Sequence, residues 1–125
     1  VVTTQRGVAQ KQMTVEELNL VHDQFLKKVN ATGGRIDKIY QCIDAWDSGS
    51  LYRKPEIGMA LHAQRDFPEI DFSKSVMVGD FLADMNFGRK TGMHNVFVAD
   101  KNTLEIKNHH LVDEFFLNLS QFIEF

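Results

Sequence analysis

The chain has one cysteine, two prolines, one tryptophan and two tyrosines in 125 residues, against ten phenylalanines. With Cys42 alone, an internal disulfide framework is excluded, and a zinc site built on paired cysteines is not expected. No apolar run approaches the length of a membrane span, and the start has no basic, apolar, small-residue leader pattern. Cationic excess is missing too. Lys plus Arg is 14 and Asp plus Glu is 17, a net charge of −3, whereas a nucleic-acid surface wants clustered basic charge. What remains is the composition of a soluble globular domain, 43% hydrophobic and 25% charged. The default expectation is a single cytoplasmic domain over 1–125 with no membrane and no nucleic-acid partner. The opening Val1-Val2-Thr3-Thr4 is apolar and lacks Met, so the chain is expected to be the visible part of something longer.

The stretch on which the rest turns is Ser75 to Asp84. Val76 to Val78 reads as a strand buried on both faces. Gly79 turns the chain, and Asp80 and Asp84 then sit near the N-terminus of a following helix. In open α/β sheets, ligands bind at that edge. Two carboxylates there repel one another unless a cation intervenes, and Mg²⁺ prefers carboxylate oxygen. The pair is therefore either a Mg²⁺ site serving a phosphate, or a capping Asp with a solvated first-turn Asp.

Around this stretch, β and α signals alternate. Val1 to Thr4 reads as a strand and Gln5-Arg6-Gly7 as a turn. Thr14 to Glu17 is a capping box. Leu18, Val21, Phe25 and Val29 follow at helical spacing, and Gly33-Gly34 stops that helix. A strand is expected over Ile36 to Cys42, a loop over Asp44 to Tyr52, and a helix over Met59 to Phe67. After the Val76 strand come a helix over Leu82 to Thr91, closed by Gly92, and a strand over Asn95 to Ala99. A last helix is expected to carry Leu111, Phe115, Leu119 and Phe122 on one face. Such alternation predicts βαβ units and a mostly parallel sheet.

Other residues carry candidate chemistry. Pro55 restricts Lys54 to an extended conformation, so its ammonium is either aimed at a phosphate or part of a solvated basic pair with Arg53. Thr3 and Thr4 either cradle a phosphate oxygen or are ordinary strand-end threonines. Trp46 and Tyr52 either line a pocket or cover the sheet end. His22, His62, His94, His109 and His110 form no metal-binding pattern.

Three stretches, Val-Val-Thr-Thr-Gln-Arg-Gly at 1–7, Arg-Lys-Pro-Glu-Ile-Gly-Met at 53–59 and Val-Gly-Asp-Phe-Leu-Ala-Asp-Met at 78–85, occur in that order. They resemble the second, third and fourth motifs of the haloacid dehalogenase-type phosphatases. The subgroup they are most similar to contains the histidinol-phosphate and heptose-bisphosphate phosphatases. The resemblance implies a Rossmann-like, mostly parallel sheet with helices on both faces. It also implies Mg²⁺-dependent hydrolysis of a small phosphorylated metabolite through an aspartyl-phosphate. It assigns Thr3 to the transferring phosphoryl group and Lys54 to its charge. Thr4, Gln5 and Arg53 would meet the substrate, Asp80 would bind Mg²⁺, and Asp84 would support it.

There are three departures. The family's first motif, D-x-D-G-T, with the nucleophile, is absent. In the implied fold its strand lies between Val1–Thr4 and Val76–Val78, so a central strand is missing from this chain as written. Arg6 and Thr4 stand where a small residue and Asn are usual. The loop before Arg53 lacks the cysteines of the zinc-bearing members. A non-catalytic, phosphatase-like binding module is the alternative.

Overall fold

The computed structural model describes residues 1–45, 47–100 and 103–124. The expectation concerning Trp46 lies outside them. Among the described residues, five strands and five α-helices run in the order β1 (Val2–Thr4), α1 (Arg6–Ala9), α2 (Val15–Ala31), β2 (Tyr40–Cys42), α3 (Gly58–Asp66), β3 (Val76–Gly79), α4 (Leu82–Thr91), β4 (His94–Val98), β5 (Glu114–Phe116) and α5 (Leu119–Glu124). Every strand pair is parallel, as an α/β fold of crossover units requires.

Local signals set the helix limits. Thr14 Oγ1 accepts from the Glu17 amide at 3.1 Å and starts α2. Gly92, at φ 82°, takes the left-handed conformation that ends α4. The expected turn at Gln5–Gly7 is instead the one-turn helix α1. The strand expected over Ile36–Cys42 is confined to Tyr40–Cys42, because only these residues pair with β1. α2 is less buried than its apolar spacing implied: Leu18 is buried, while Val21 and Phe25 stay exposed.

The C-terminal expectation is corrected. Residues 111–123 do not form one helix: Glu114–Phe116 is a strand paired with Val96–Val98, and only Leu119–Glu124 is helical. Phe97 and Phe115 lie opposite one another in that register, their rings stacked at 6.1 Å. Their packing, together with the Asp113 amide bonded to the Asn95 carbonyl at 3.0 Å, outweighs the helical spacing of the apolar residues.

The strands form two parallel sheets, β1-β2 and β3-β4-β5, and the division falls between β1 and β3, the two strands between which the implied fold has a further strand. One apolar core serves both: Tyr40, Cys42, Met59 and Ala60 pack in the same cluster as Met77, Met85, Phe87 and Phe97. β1 and β3 do not pair. Between them lies a cavity of about 590 Å³, walled by Val1, Val2 and Thr3 on one side and Val76 to Asp80 on the other. This revises the reading of Val76–Val78. Met77 is buried, but Val76 is 52% and Val78 36% exposed, because they face away from α4 toward open space.

A polar clasp lies inside the larger sheet. Asn95 is fully buried, and its amide nitrogen donates to the Met85 carbonyl at 2.7 Å and the Leu111 carbonyl at 2.8 Å. It thus ties α4 and the approach to β5 onto β4.

Candidate functional site

The C-terminal ends of β1 and β3 meet the turn before α3 at one edge of the molecule. β1 delivers Thr3 and Thr4 in register with Gln41 and Cys42, and the ladder continues through the Gln5 amide to the Cys42 carbonyl at 2.7 Å. Gln5 Nε2 donates to Thr3 Oγ1 at 2.8 Å. That bond uses an acceptor site of the hydroxyl and leaves the Thr3 hydrogen free to donate.

Lys54 and Asp84 form the centre. Their side chains are 12% and 6% exposed, and Lys54 Nζ donates to Asp84 Oδ1 and, at 3.3 Å, to the Val2 carbonyl. Asp84 Oδ2 accepts from the amides of Asp80 at 3.3 Å and Phe81 at 3.2 Å. Asp84 is the third residue of α4, so its charge also sits at the favourable end of the helix dipole. Gly79 makes this approach possible, since a Cβ there would collide with the Asp84 carboxylate.

The two carboxylates consequently differ. Both oxygens of Asp84 are committed to protein donors. Asp80 is exposed, and its carboxylate has no partner among the described residues. No group of three His, Cys, Asp or Glu side chains gathers around an ion among the described residues. A hard cation that keeps most of its water and takes one or two carboxylates fits this donor set, with Asp80 as the available ligand and Asp84 behind it.

A second cavity, of about 530 Å³, adjoins the first and shares Lys54 and Asp84 with it. Its other lining residues are Thr4, Arg6, Arg53, Phe81, Leu82 and Ala83. Arg53 Nη1 donates to the Asp44 carbonyl at 3.2 Å, a neutral partner that fixes the guanidinium without cancelling its charge. Arg6 has no ion pair among the described residues. Because Lys54 and Asp84 offset one another, this cavity carries two uncompensated positive charges beside an apolar wall. Phe81, in that wall, is 68% exposed.

The structure therefore brings together Thr3, Lys54, Asp80 and Asp84 around one cavity, and Thr4, Arg6 and Arg53 around its neighbour. Gln5 reaches the site through Thr3. In the sequence Arg6 stands out only as a departure from the resembled motif, and its place on the same cavity as Arg53 comes from the β1–α1 connection. Nothing in the sequence gives His62 a partner, whereas Tyr52 Oη and His62 Nδ1 lie 2.7 Å apart. That contact joins residues ten apart and has no local signal.

A family model described as HAD-hydrolase-like matches residues 51–115. A heptose-1,7-bisphosphate 7-phosphatase of Rhodopseudomonas palustris is 28% identical over 74% of this chain and 55% of its own length. One of Burkholderia mallei is 35% identical over 85% of this chain and 60% of its own. One of Neisseria meningitidis serogroup A is 30% identical over 98% of this chain and 70% of its own. The chain thus spans little more than half the length of the first two. Among solved structures, D,D-heptose 1,7-bisphosphate phosphatase from B. bronchiseptica, complexed with magnesium and phosphate, superposes with a TM-score of 0.84 at 24% identity. That match covers 98% of this chain and 72% of the other, and shows a shared fold. With a family model matched over more than half of its residues and a 30%-identical relative covered over 70% of that protein's length, the chain belongs to the HAD-hydrolase-like family.

Proposed function

We propose that this chain forms the phosphate-handling part of a Mg²⁺-dependent phosphomonoesterase acting on a small phosphorylated sugar or related metabolite. The observation that carries the reading is the largely buried Lys54–Asp84 pair, with the Thr3 hydroxyl on one side and, on the other, the Asp80 carboxylate, which has no partner among the described residues. Phosphoryl transfer asks a protein mainly for positioning and for charge matched to the transition state. Thr3 donates its hydrogen to a phosphoryl oxygen. Lys54 uses two of its three N–H donors on Asp84 and Val2, and turns the third toward the phosphoryl group. Asp80 holds the Mg²⁺, which, when bound, neutralises charge on the phosphoryl oxygens. Asp84 fixes Lys54 and the amides of Asp80 and Phe81, so that none of these groups has to reorganise during transfer.

The relatives named above act on a sugar carrying two phosphates. The uncompensated Arg6 and Arg53 fit that class: with the reacting phosphate at Lys54, the guanidiniums and the Thr4 hydroxyl meet the rest of the substrate. An aspartyl-phosphate route also needs a nucleophilic carboxylate. Asp80 and Asp84 are the described carboxylates lining the cavity that holds Thr3, and both have other tasks. In this reading the nucleophile rides on an extended segment seated between β1 and β3.

The alternative is a phosphatase-like module that binds a phosphorylated ligand at the same Thr3, Lys54 and Asp80 without hydrolysing it. Phosphate release from a sugar phosphate by the full-length protein, with and without Mg²⁺, separates the two. Asp80→Asn is expected to lower Mg²⁺-dependent turnover by about 10²-fold or more and to weaken Mg²⁺ binding by calorimetry. Both should occur with an unchanged melting curve, since the Asp80 side chain is exposed and makes no hydrogen bond or ion pair among the described residues. Turnover and Mg²⁺ affinity equal to those of the native protein would refute the metal role.

A further inference from the structure

The turn from Leu51 to Ile57 delivers Arg53 and Lys54 to the site, yet it contains neither helix nor strand. Two of its backbone bonds are local: the Arg53 amide to the Ser50 carbonyl at 3.3 Å, and the Glu56 amide to the Arg53 carbonyl at 2.9 Å. A third, from the Gly58 amide to the Leu51 carbonyl at 3.0 Å, ties its start to α3. Glu56 reaches Lys90 on α4 at 2.9 Å, but both side chains are 45% exposed, and such pairs contribute little. The side chain adjacent to Arg53 makes the stronger tie. Tyr52 is half-buried, and its hydroxyl meets Nδ1 of His62 on α3 at 2.7 Å.

His62 is itself held. One turn further along α3, Asp66 Oδ2 lies 3.6 Å from His62 Nε2. Asp66 accepts from Lys38 Nζ and Tyr40 Oη, each at 2.7 Å. These bonds, that to Lys38 foremost, pull its carboxyl down to about 2, so it is ionised at neutral pH. A carboxylate facing Nε2 favours the tautomer with hydrogen on Nε2, which leaves Nδ1 as an acceptor. The Tyr52 phenol, its pKa raised by burial, remains a donor. Tyr40 packs edge-on against the imidazole at 4.9 Å and completes the seat. None of these residues touches the cavity that holds Thr3 and Asp80.

We propose that His62 is a positioning residue: by accepting the Tyr52 hydroxyl it holds the Arg53–Lys54 turn where the Lys54 ammonium reaches Asp84. The inference rests on the phosphatase reading only for what Lys54 does once it is there. The link is specific in direction. It needs an acceptor at the Nδ1 position and a hydroxyl on residue 52, and it does not need the imidazole as such. Asn at position 62 places an amide oxygen near that point, whereas Ala removes the acceptor.

The test uses the full-length protein with Mg²⁺, inorganic phosphate as the probe, and the variants Tyr52→Phe, His62→Ala and His62→Asn. Tyr52→Phe and His62→Ala are expected to weaken phosphate binding roughly five- to tenfold, and to speed amide exchange across 51–58 by a similar factor. Exchange across β4 should not change. His62→Asn should remain within about twofold of native in both measurements. Imidazole nitrogen spectra should show His62 protonated on Nε2 in the native protein. Native-like exchange across 51–58 in Tyr52→Phe and His62→Ala would overturn the proposal, as would His62→Asn behaving like His62→Ala. If the native protein binds no phosphate while exchange follows the expected pattern, the positioning role stands and the phosphatase reading falls.

Discussion

Replacing Asp84 with Asn removes one charge and almost no volume. The amide oxygen can still accept from the Asp80 and Phe81 amides, so the start of α4 keeps its cap. The loss falls on Lys54, which is left 12% exposed with an NH₂ group in front of its ammonium. Breaking a buried pair by removing one partner costs about 3–5 kcal/mol, because the remaining charge is uncompensated. For a chain of 125 residues that corresponds to a fall in melting temperature of roughly 11–19 °C. Urea unfolding of Asp84→Asn, followed by circular dichroism, measures it directly. Adding Lys54→Met to the same background removes the stranded ammonium and should return most of the loss. A loss below about 1 kcal/mol in the single variant, or no recovery in the double, would show that the pair is solvated and that charge at this edge does not depend on its burial.

Two further outcomes follow from the packing. Asp66 has its carboxyl lowered from 3.8 to about 2, so it stabilises the fold above the higher value and stops doing so as pH falls through the lower. The stability difference between native protein and Asp66→Asn, from urea melts at stepped pH, should hold at neutral pH and vanish between about pH 4 and pH 2; a difference that persists below pH 2 would refute this. Gly88→Ala should destabilise by about 1–3 kcal/mol although Ala favours a helix, because the new Cβ meets Asn95 Oδ1 and lies 3.0 Å from Met77 Cβ; a more stable variant would mean that the Asn95 clasp has room to give.

What was legible in the sequence was local. Thr14 and Glu17, Gly33, and Gly92 announce helix limits through capping chemistry, and α4 lies where it was expected, at Leu82–Thr91. The edge at Gly79-Asp80 was legible because a short apolar strand, a turn and a helix start are adjacent in the chain. What was not legible depends on partners far away. Leu111, Phe115, Leu119 and Phe122 have a helix's spacing, and nothing near them says that Phe115 faces Phe97 across a parallel pair. Val76 and Val78 look like core residues until the space on their side of β3 is known. The resemblance separates the roles of Asp80 and Asp84, but the physical difference is not local: Lys54 and the Asp80 and Phe81 amides engage Asp84, while the Asp80 carboxylate has no partner among the described residues. His62 was unreadable for the same reason: its partner Tyr52 belongs to a turn whose path the sequence does not encode locally.

The two sheets exchange no backbone hydrogen bonds, and Lys54 and Asp84 belong to opposite sides of that division. Lys54 travels with the turn before α3, which packs on β2, and Asp84 travels with α4, which packs on β3 and β4. The ion pair is therefore a rivet through a seam as well as a charge device. Slippage of one sheet along the other by even a single residue would carry the ammonium out of reach. The placement of the turn before α3 against α4 and the meeting of Lys54 with Asp84 thus go together, so a substitution that shifts one against the other should separate the pair while the ladders within each sheet stay formed.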